Sequence, residues 1–72
     1  VHPGFADLVV LAEGRVLFLE VKSPRGRLSE AQARFRDDVR AQGFGWALVR
    51  SLDDALDALE AHGVATRVRA RP

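Results

Sequence analysis

Glu20 and Lys22 are charged residues at the end of an otherwise apolar run, V-L-F-L-E-V-K from Val16 to Lys22. Side chains alternate along a strand with a period of two, so Glu20 and Lys22 share one face and Val21 points to the other. A third charge, Asp7, opens the preceding run, D-L-V-V-L from Asp7 to Leu11. If Glu13 and Gly14 form a two-residue loop, Ala12 pairs with Arg15, Val9 with Phe18 and Asp7 with Glu20. Direct cross-strand neighbours have Cβ atoms about 4.5–5.5 Å apart, so two carboxylates would stand side by side. Like charges so placed destabilise a sheet, and burial adds to the cost. Lys22 offsets one of them, and a divalent cation is the other remedy. Mg²⁺ takes oxygen ligands at about 2.0–2.1 Å and keeps several waters, so it needs only one or two carboxylates plus substrate phosphate. The backbone carbonyl of Val21 could add an oxygen. Lys22, one pleat further on, could hold the attacking water or steady charge on a phosphoryl group. The chemistry these residue types support is metal-assisted hydrolysis of a phosphodiester.

The register carries this reading. Gly14 also suits a three-residue loop with a bulge, which slips the pairing by one and sends the two acids to opposite faces. Glu is moreover an unfavourable first residue for a two-residue turn. The even-length loop is preferred because the odd one leaves a carboxylate in each apolar layer. A solvent-facing Glu–Lys pair would explain E-V-K alone; the aligned Asp7 is what argues for a site.

The elements that must position these residues are readable in outline. Two β-rich runs, Asp7 to Leu11 and Val16 to Lys22, joined by a tight turn, form an antiparallel pair. Their nearly unbroken apolar character points to a sheet covered on both faces, or to a central pair. Ser23 to Arg27 is a loop. Ser29 is a helix N-cap, and Gln32 at N3 completes a capping box. Leu28, Ala31, Phe35 and Val39 form the apolar stripe of that helix, which Gly43 stops. Phe44 to Val49 is a third strand, reached by a crossover long enough for parallel pairing. Ser51 caps a second helix with Leu52, Ala55, Leu56 and Leu59 on its buried face. Val64 to Ala70 reads as a fourth strand, an edge strand with Arg67, Arg69 and Arg71 on one side. The predicted class is α/β with a mixed central sheet in the order β-β-α-β-α-β.

Length and composition narrow the function. The chain has 72 residues, 11 Lys+Arg against 10 Asp+Glu, two His and no Cys. One small domain, 1–72, is all that this length accommodates. Disulfides, Cys-ligated zinc and thiol catalysis are excluded. No apolar run reaches the length of a membrane span and no signal peptide is readable, so the expected location is the cytoplasm and no membrane partner is expected. The acids cluster between Asp53 and Glu60, and three arginines follow them, so a basic surface can coexist with a net charge of only +1.

G-F-A-D-L-V-V from Gly4, then R-V-L-F-L-E-V-K, then S-P-R-G-R-L-S-E-A-Q ending at Gln32, resembles a VRR-NUC domain of the PD-(D/E)XK nuclease superfamily. The resemblance runs from about Pro3 to Arg50. It implies a restriction-endonuclease-like α/β fold. It implies that Asp7 and Glu20, with the Val21 carbonyl, bind catalytic Mg²⁺ or Mn²⁺, that Lys22 assists the nucleophile, and that Gln32 lies beside the site. The implied activity is a metal-dependent DNA endonuclease, selective for branched or junction DNA, and the implied assembly is a homodimer. Ala6 stands where the family usually has Pro, which changes backbone stiffness and not the ligand. Family members commonly begin with a helix carrying another acid. The residues before Asp7 are too few for one, so a minimal or truncated domain without that helix is expected.

Other residues carry two readings each. Gln32 serves the capping box or reaches the site. Arg25 and Arg27, flanking Gly26 beside Lys22, are phosphate contacts or ordinary loop charges. Ser29 presents a helix N-terminus that can seat a phosphate, or simply caps. The arginines of the last strand track a DNA backbone or protect an exposed edge. The competing functional classes are a catalytically weak or inactive nucleic-acid-binding domain of the same fold, and a small assembly module in which E-V-K is incidental.

Overall fold

The structure, a computed structural model, describes residues 4–64. Its elements are β1 (Leu8–Ala12), β2 (Arg15–Val21), α1 (Glu30–Ala41), β3 (Gly45–Val49) and α2 (Leu52–Ala61). The sheet order is β1-β2-β3, with β1 antiparallel and β3 parallel to the central β2. This mixed β-β-α-β-α arrangement, with no helix before β1 among the described residues, is the expected restriction-endonuclease-like fold without its N-terminal helix. The proposed fourth strand falls, apart from Val64, outside the described residues.

The hairpin adopts the even-length register, from Ala12↔Arg15 to Leu8↔Leu19. Glu13 and Gly14 have φ of 55° and 75°, as a two-residue type I′ turn requires of both central positions. Face alternation therefore wins over the poor turn preference of Glu13. Slipping by one would turn Leu17 and Leu19, the most deeply buried apolar residues of β2, away from their layer.

Two apolar layers enclose β2 and β3. On one face, Phe35 and Val39 of α1 pack with Trp46, Phe18, Leu48 and Ala6. On the other, Leu17, Leu19 and Val49 meet Ala55, Ala58 and Leu59 of α2. Both helices begin on a serine whose hydroxyl accepts an N3 amide, Ser29 from Gln32 and Ser51 from Asp54. Both end in paired bonds of the Schellman type: Gly43 N–H to the Arg40 carbonyl with Phe44 N–H to Val39, and Gly63 N–H to Glu60 with Val64 N–H to Leu59.

Three expectations are corrected in detail. β1 starts at Leu8, so Asp7 lies at the bend just before it, and β2 ends at Val21, so Lys22 is the first loop residue. Leu52 is 69% exposed rather than buried. It is the first residue of α2, and β3 has already ended at Val49, so no sheet lies beneath it. The coverage expected for both hairpin strands holds only for Val16 to Glu20 of β2: Leu8, Val9 and Leu11 of β1, and Val21 at the end of β2, are exposed.

Candidate active site

Asp7 and Glu20 meet at the end of the hairpin remote from its turn. One step past Leu8↔Leu19 the same register sets Asp7 opposite Glu20. Hydrogen-bonded pairs alternate with non-bonded ones from the turn onward, so this is a non-bonded position, the kind with the closer side chains. Ala6 opposite Val21 would come next. Instead of a strand carbonyl, Val21 N–H finds the Asp7 carboxylate, donating to Oδ2 at 2.9 Å. Asp7 thus caps the ladder with its side chain and is tied to β2 by that bond.

Gly4 sets the approach of this segment. Its φ is +79°, and a Cβ there would lie 2.5 Å from the Ala31 carbonyl and 2.6 Å from the Gln32 nitrogen. Only glycine permits residues 4–6 to press against the first turn of α1. Phe5 continues the contact, with its ring centroid 5.1 Å from Phe35 and 5.8 Å from Phe18.

Glu20 is 2% exposed and is the one buried charged residue among those described. Its Oε2 accepts from Gln32 Nε2 at 3.1 Å. Its Oε1 is buried and has no hydrogen-bond donor among the described residues. Gln32 also fills the capping box, its Oε1 accepting from Ser29 N–H at 2.9 Å and its backbone N–H reaching Ser29 Oγ at 3.1 Å. The two readings of Gln32 are therefore satisfied by one conformer, because a carboxamide donates at one end and accepts at the other.

The electrostatics separate the two acids. Burial, then the hydrogen bond and charge of Asp7, push the Glu20 carboxyl up, while the Lys22 ammonium opposes them. The Val21 amide, then the hydrogen bond with Glu20, hold Asp7 below its usual range against the opposing effect of burial, and the Lys22 charge adds a lesser contribution in the same downward direction. Two acceptors facing each other require something positive between them. In this site that is a proton on Glu20 or a cation. The buried Oε1 without a donor and the exposed carboxylate of Asp7 fit a hard cation that retains several waters. No group of three or more His, Cys, Asp or Glu placed to hold a metal ion occurs among the described residues, so the protein would supply a minority of the ligands.

Beyond Lys22, whose amide donates to the Val49 carbonyl at 3.0 Å, the chain turns at Ser23–Gly26, closed by Gly26 N–H to the Ser23 carbonyl at 3.1 Å. Arg25 and Arg27 are exposed on this loop, and Ser29 is exposed at its end. Arg50, which the sequence reading did not single out, lies beneath the loop. Its Nη1 donates to the carbonyls of Ser23 (2.6 Å), Pro24 (3.2 Å) and Gly26 (2.8 Å). The signal for it was topological: the parallel register that pairs Val21 with Val49 brings Arg50 level with Lys22.

Among comparisons with known proteins, the family model of the VRR-NUC domain matches residues 1–53. No curated protein and no solved structure matches the chain.

Proposed function

The chain belongs to the VRR-NUC family, and on that premise we propose that it is a Mg²⁺- or Mn²⁺-dependent endonuclease that hydrolyses DNA phosphodiester bonds, with selectivity for branched or junction DNA. Family membership supports a nuclease-type function in general. The observation that carries the metal-dependent reading is the buried Oε1 of Glu20, without a donor and beside a second carboxylate.

The oxygens that would hold the cation are those of Asp7, Glu20 and the Val21 carbonyl. A divalent cation there supplies Lewis-acid polarisation of the phosphoryl group and a more acidic water. The residues themselves do the positioning. Val21 N–H engages Asp7 Oδ2 and leaves Oδ1 for a ligand. Gln32 engages Glu20 Oε2 and leaves Oε1. Lys22 offsets negative charge growing on the phosphoryl oxygens as water attacks phosphorus in line and one P–O ester bond breaks. Arg25 and Arg27 engage flanking phosphates, and the Ser29 hydroxyl, whose oxygen already accepts from Gln32, keeps its hydrogen to donate. A second copy of the chain is the proposed protein partner, supported by the apolar, exposed β1 edge.

A nucleic-acid-binding domain without turnover is the second reading, favoured by the small number of acidic ligands. Branched and duplex DNA incubated with Mn²⁺ and wild type, Glu20→Ala or Lys22→Ala separates the two. The expected result is nicking by wild type that falls at least about 100-fold in either variant. Equal nicking by wild type and Glu20→Ala would overturn the nuclease reading.

A further inference from the structure

We propose that Arg50 is a positioning residue for DNA binding: it holds the Ser23–Gly26 turn in the shape that presents Arg25 and Arg27 to phosphates. This rests on the nucleic-acid reading above and adds to it a residue outside the carboxylate site.

Three carbonyl oxygens of one short turn converge on a single nitrogen, Arg50 Nη1, at 2.6, 3.2 and 2.8 Å. Carbonyl dipoles aimed at one point repel unless a cation stands at the focus. Nη1 carries two hydrogens, so the three acceptors share them, which favours a guanidinium over a neutral donor. Arg50 is itself anchored, its backbone N–H donating to Asp54 Oδ2 at 2.9 Å in the first turn of α2. Val49, the residue before it, receives the Lys22 amide. The inner side of the loop is therefore tied to the end of β3 at both the backbone and the side chain.

With its carbonyls drawn inward, the turn carries the side chains of Arg25 and Arg27 outward, where both are exposed. Arg50 also brings a further positive charge under a stretch that already holds Lys22, Arg25 and Arg27. Gathering cations opposes folding by self-repulsion and favours a polyanionic ligand. The arrangement makes sense as a phosphate-facing loop set in advance, so that less ordering is left to binding.

The test uses the full chain and a fluorescently labelled DNA duplex, with EDTA present so that nothing is cut. Arg50→Ala should weaken binding about three- to tenfold, the worth of one or two lost hydrogen bonds. In a chain already carrying Arg25→Ala and Arg27→Ala, adding Arg50→Ala should change affinity by less than about twofold, because the groups it positions are gone. Arg50→Lys should recover part of the loss. Amide exchange at Gly26 should quicken in Arg50→Ala. In cleavage assays KM should rise more than kcat falls. Equal factors in the two backgrounds would make Arg50 an independent phosphate contact and overturn the proposal. Faster Gly26 exchange with unchanged affinity would reduce it to a loop brace and overturn the proposal as well. Binding and coupling without cleavage leave the proposal standing and remove only the catalytic reading; no DNA binding by wild type removes both.

Discussion

Gln32 Nε2 lies 3.1 Å from Glu20 Oε2 and joins the N-terminal turn of α1 to the buried acid of β2. The helix cap and the site therefore share one side chain. Gln32→Glu separates the two roles. A glutamate at N3 keeps the accepting oxygen of the capping box but turns a carboxylate toward Glu20 where a donor stood. Without divalent cation the variant should melt lower than wild type, by about 1–2 kcal/mol. With millimolar Mn²⁺ it should recover more of that loss than wild type gains. Gln32→Ala, which loses both bonds, should be destabilised by a similar amount with no such recovery. If Gln32→Glu melts like wild type in both buffers, the contact with Glu20 carries no energetic weight.

The opposite shifts of the two acids set the pH behaviour. Glu20 is raised in the folded state, chiefly by burial. Its contribution to stability is therefore complete below its unfolded pKa and is lost as pH climbs through the raised value. Asp7 is lowered, chiefly by the Val21 amide, so its contribution is present above its unfolded pKa and is lost as pH falls through the lowered value. Asp7 is exposed, which leaves Glu20 as the larger influence. Without divalent cation, thermal melts should show stability declining as pH rises above the unfolded pKa of Glu20 and through its raised folded value, where Glu20 gives up its proton. Mn²⁺ should flatten that decline by taking the proton's place. Glu20→Gln should lose both the decline and the Mn²⁺ effect. Superimposable curves with and without Mn²⁺ across about pH 5 to 8 would count against a cation at this carboxylate pair.

Gly4 and Gly14 both have φ near +80°, at 79° and 75°, but only Gly4 is crowded. An alanine Cβ at Gly14 meets nothing within 4 Å, so Gly14→Ala should cost only the backbone strain of about 1 kcal/mol. At Gly4 the Cβ would also strike the backbone of Ala31 and Gln32, and backbone in the first turn of a helix cannot easily yield. Gly4→Ala should cost roughly 2 kcal/mol or more. It should also weaken the Mn²⁺ response, because Asp7 follows three residues later. Denaturant midpoints for the two variants measure the difference, and equal midpoints would remove the contact between residues 4–6 and α1.

Much of this was legible in the sequence because two periodicities agreed. The even-length hairpin followed from keeping Asp7 and Glu20 in one layer, even though Glu13 is a poor residue for φ of 55°. The Ser29–Gln32 capping box was a local pattern, and both of its bonds are present. What the sequence hid depends on where elements end in space. Leu52 fits the apolar stripe of α2, and only the end of β3 at Val49 leaves it uncovered. Arg50 looks like any arginine after a strand, since its partners lie 24 to 27 residues earlier in the chain. The role of Asp7 in closing the ladder was equally hidden, because an aspartate in a strand reads as a misplaced charge until its carboxylate is seen to replace a carbonyl.

The β1 edge yields the last prediction. β1 pairs with β2 alone among the described strands, and Leu8, Val9 and Leu11 are exposed along it. An unpaired apolar edge invites another strand, and natural proteins guard such edges with charge, proline or a cover. β1 itself carries no charged residue and no proline from Leu8 to Ala12. A second copy related by a two-fold axis would set the two β1 strands antiparallel, satisfy both rows of backbone groups and cover the leucines. A small domain gains most from such burial, since its own core is limited. Light scattering should give about twice the 7.9 kDa chain mass. Leu11, 75% exposed in the single chain, is the residue to change. Leu11→Lys should leave the fold of the monomer intact and weaken association by about 2 kcal/mol, since it sets like charges near one another across the axis. A wild-type mass of one chain at working concentration would refute the dimer, and a dimer indifferent to Leu11→Lys would move the interface elsewhere on the molecule.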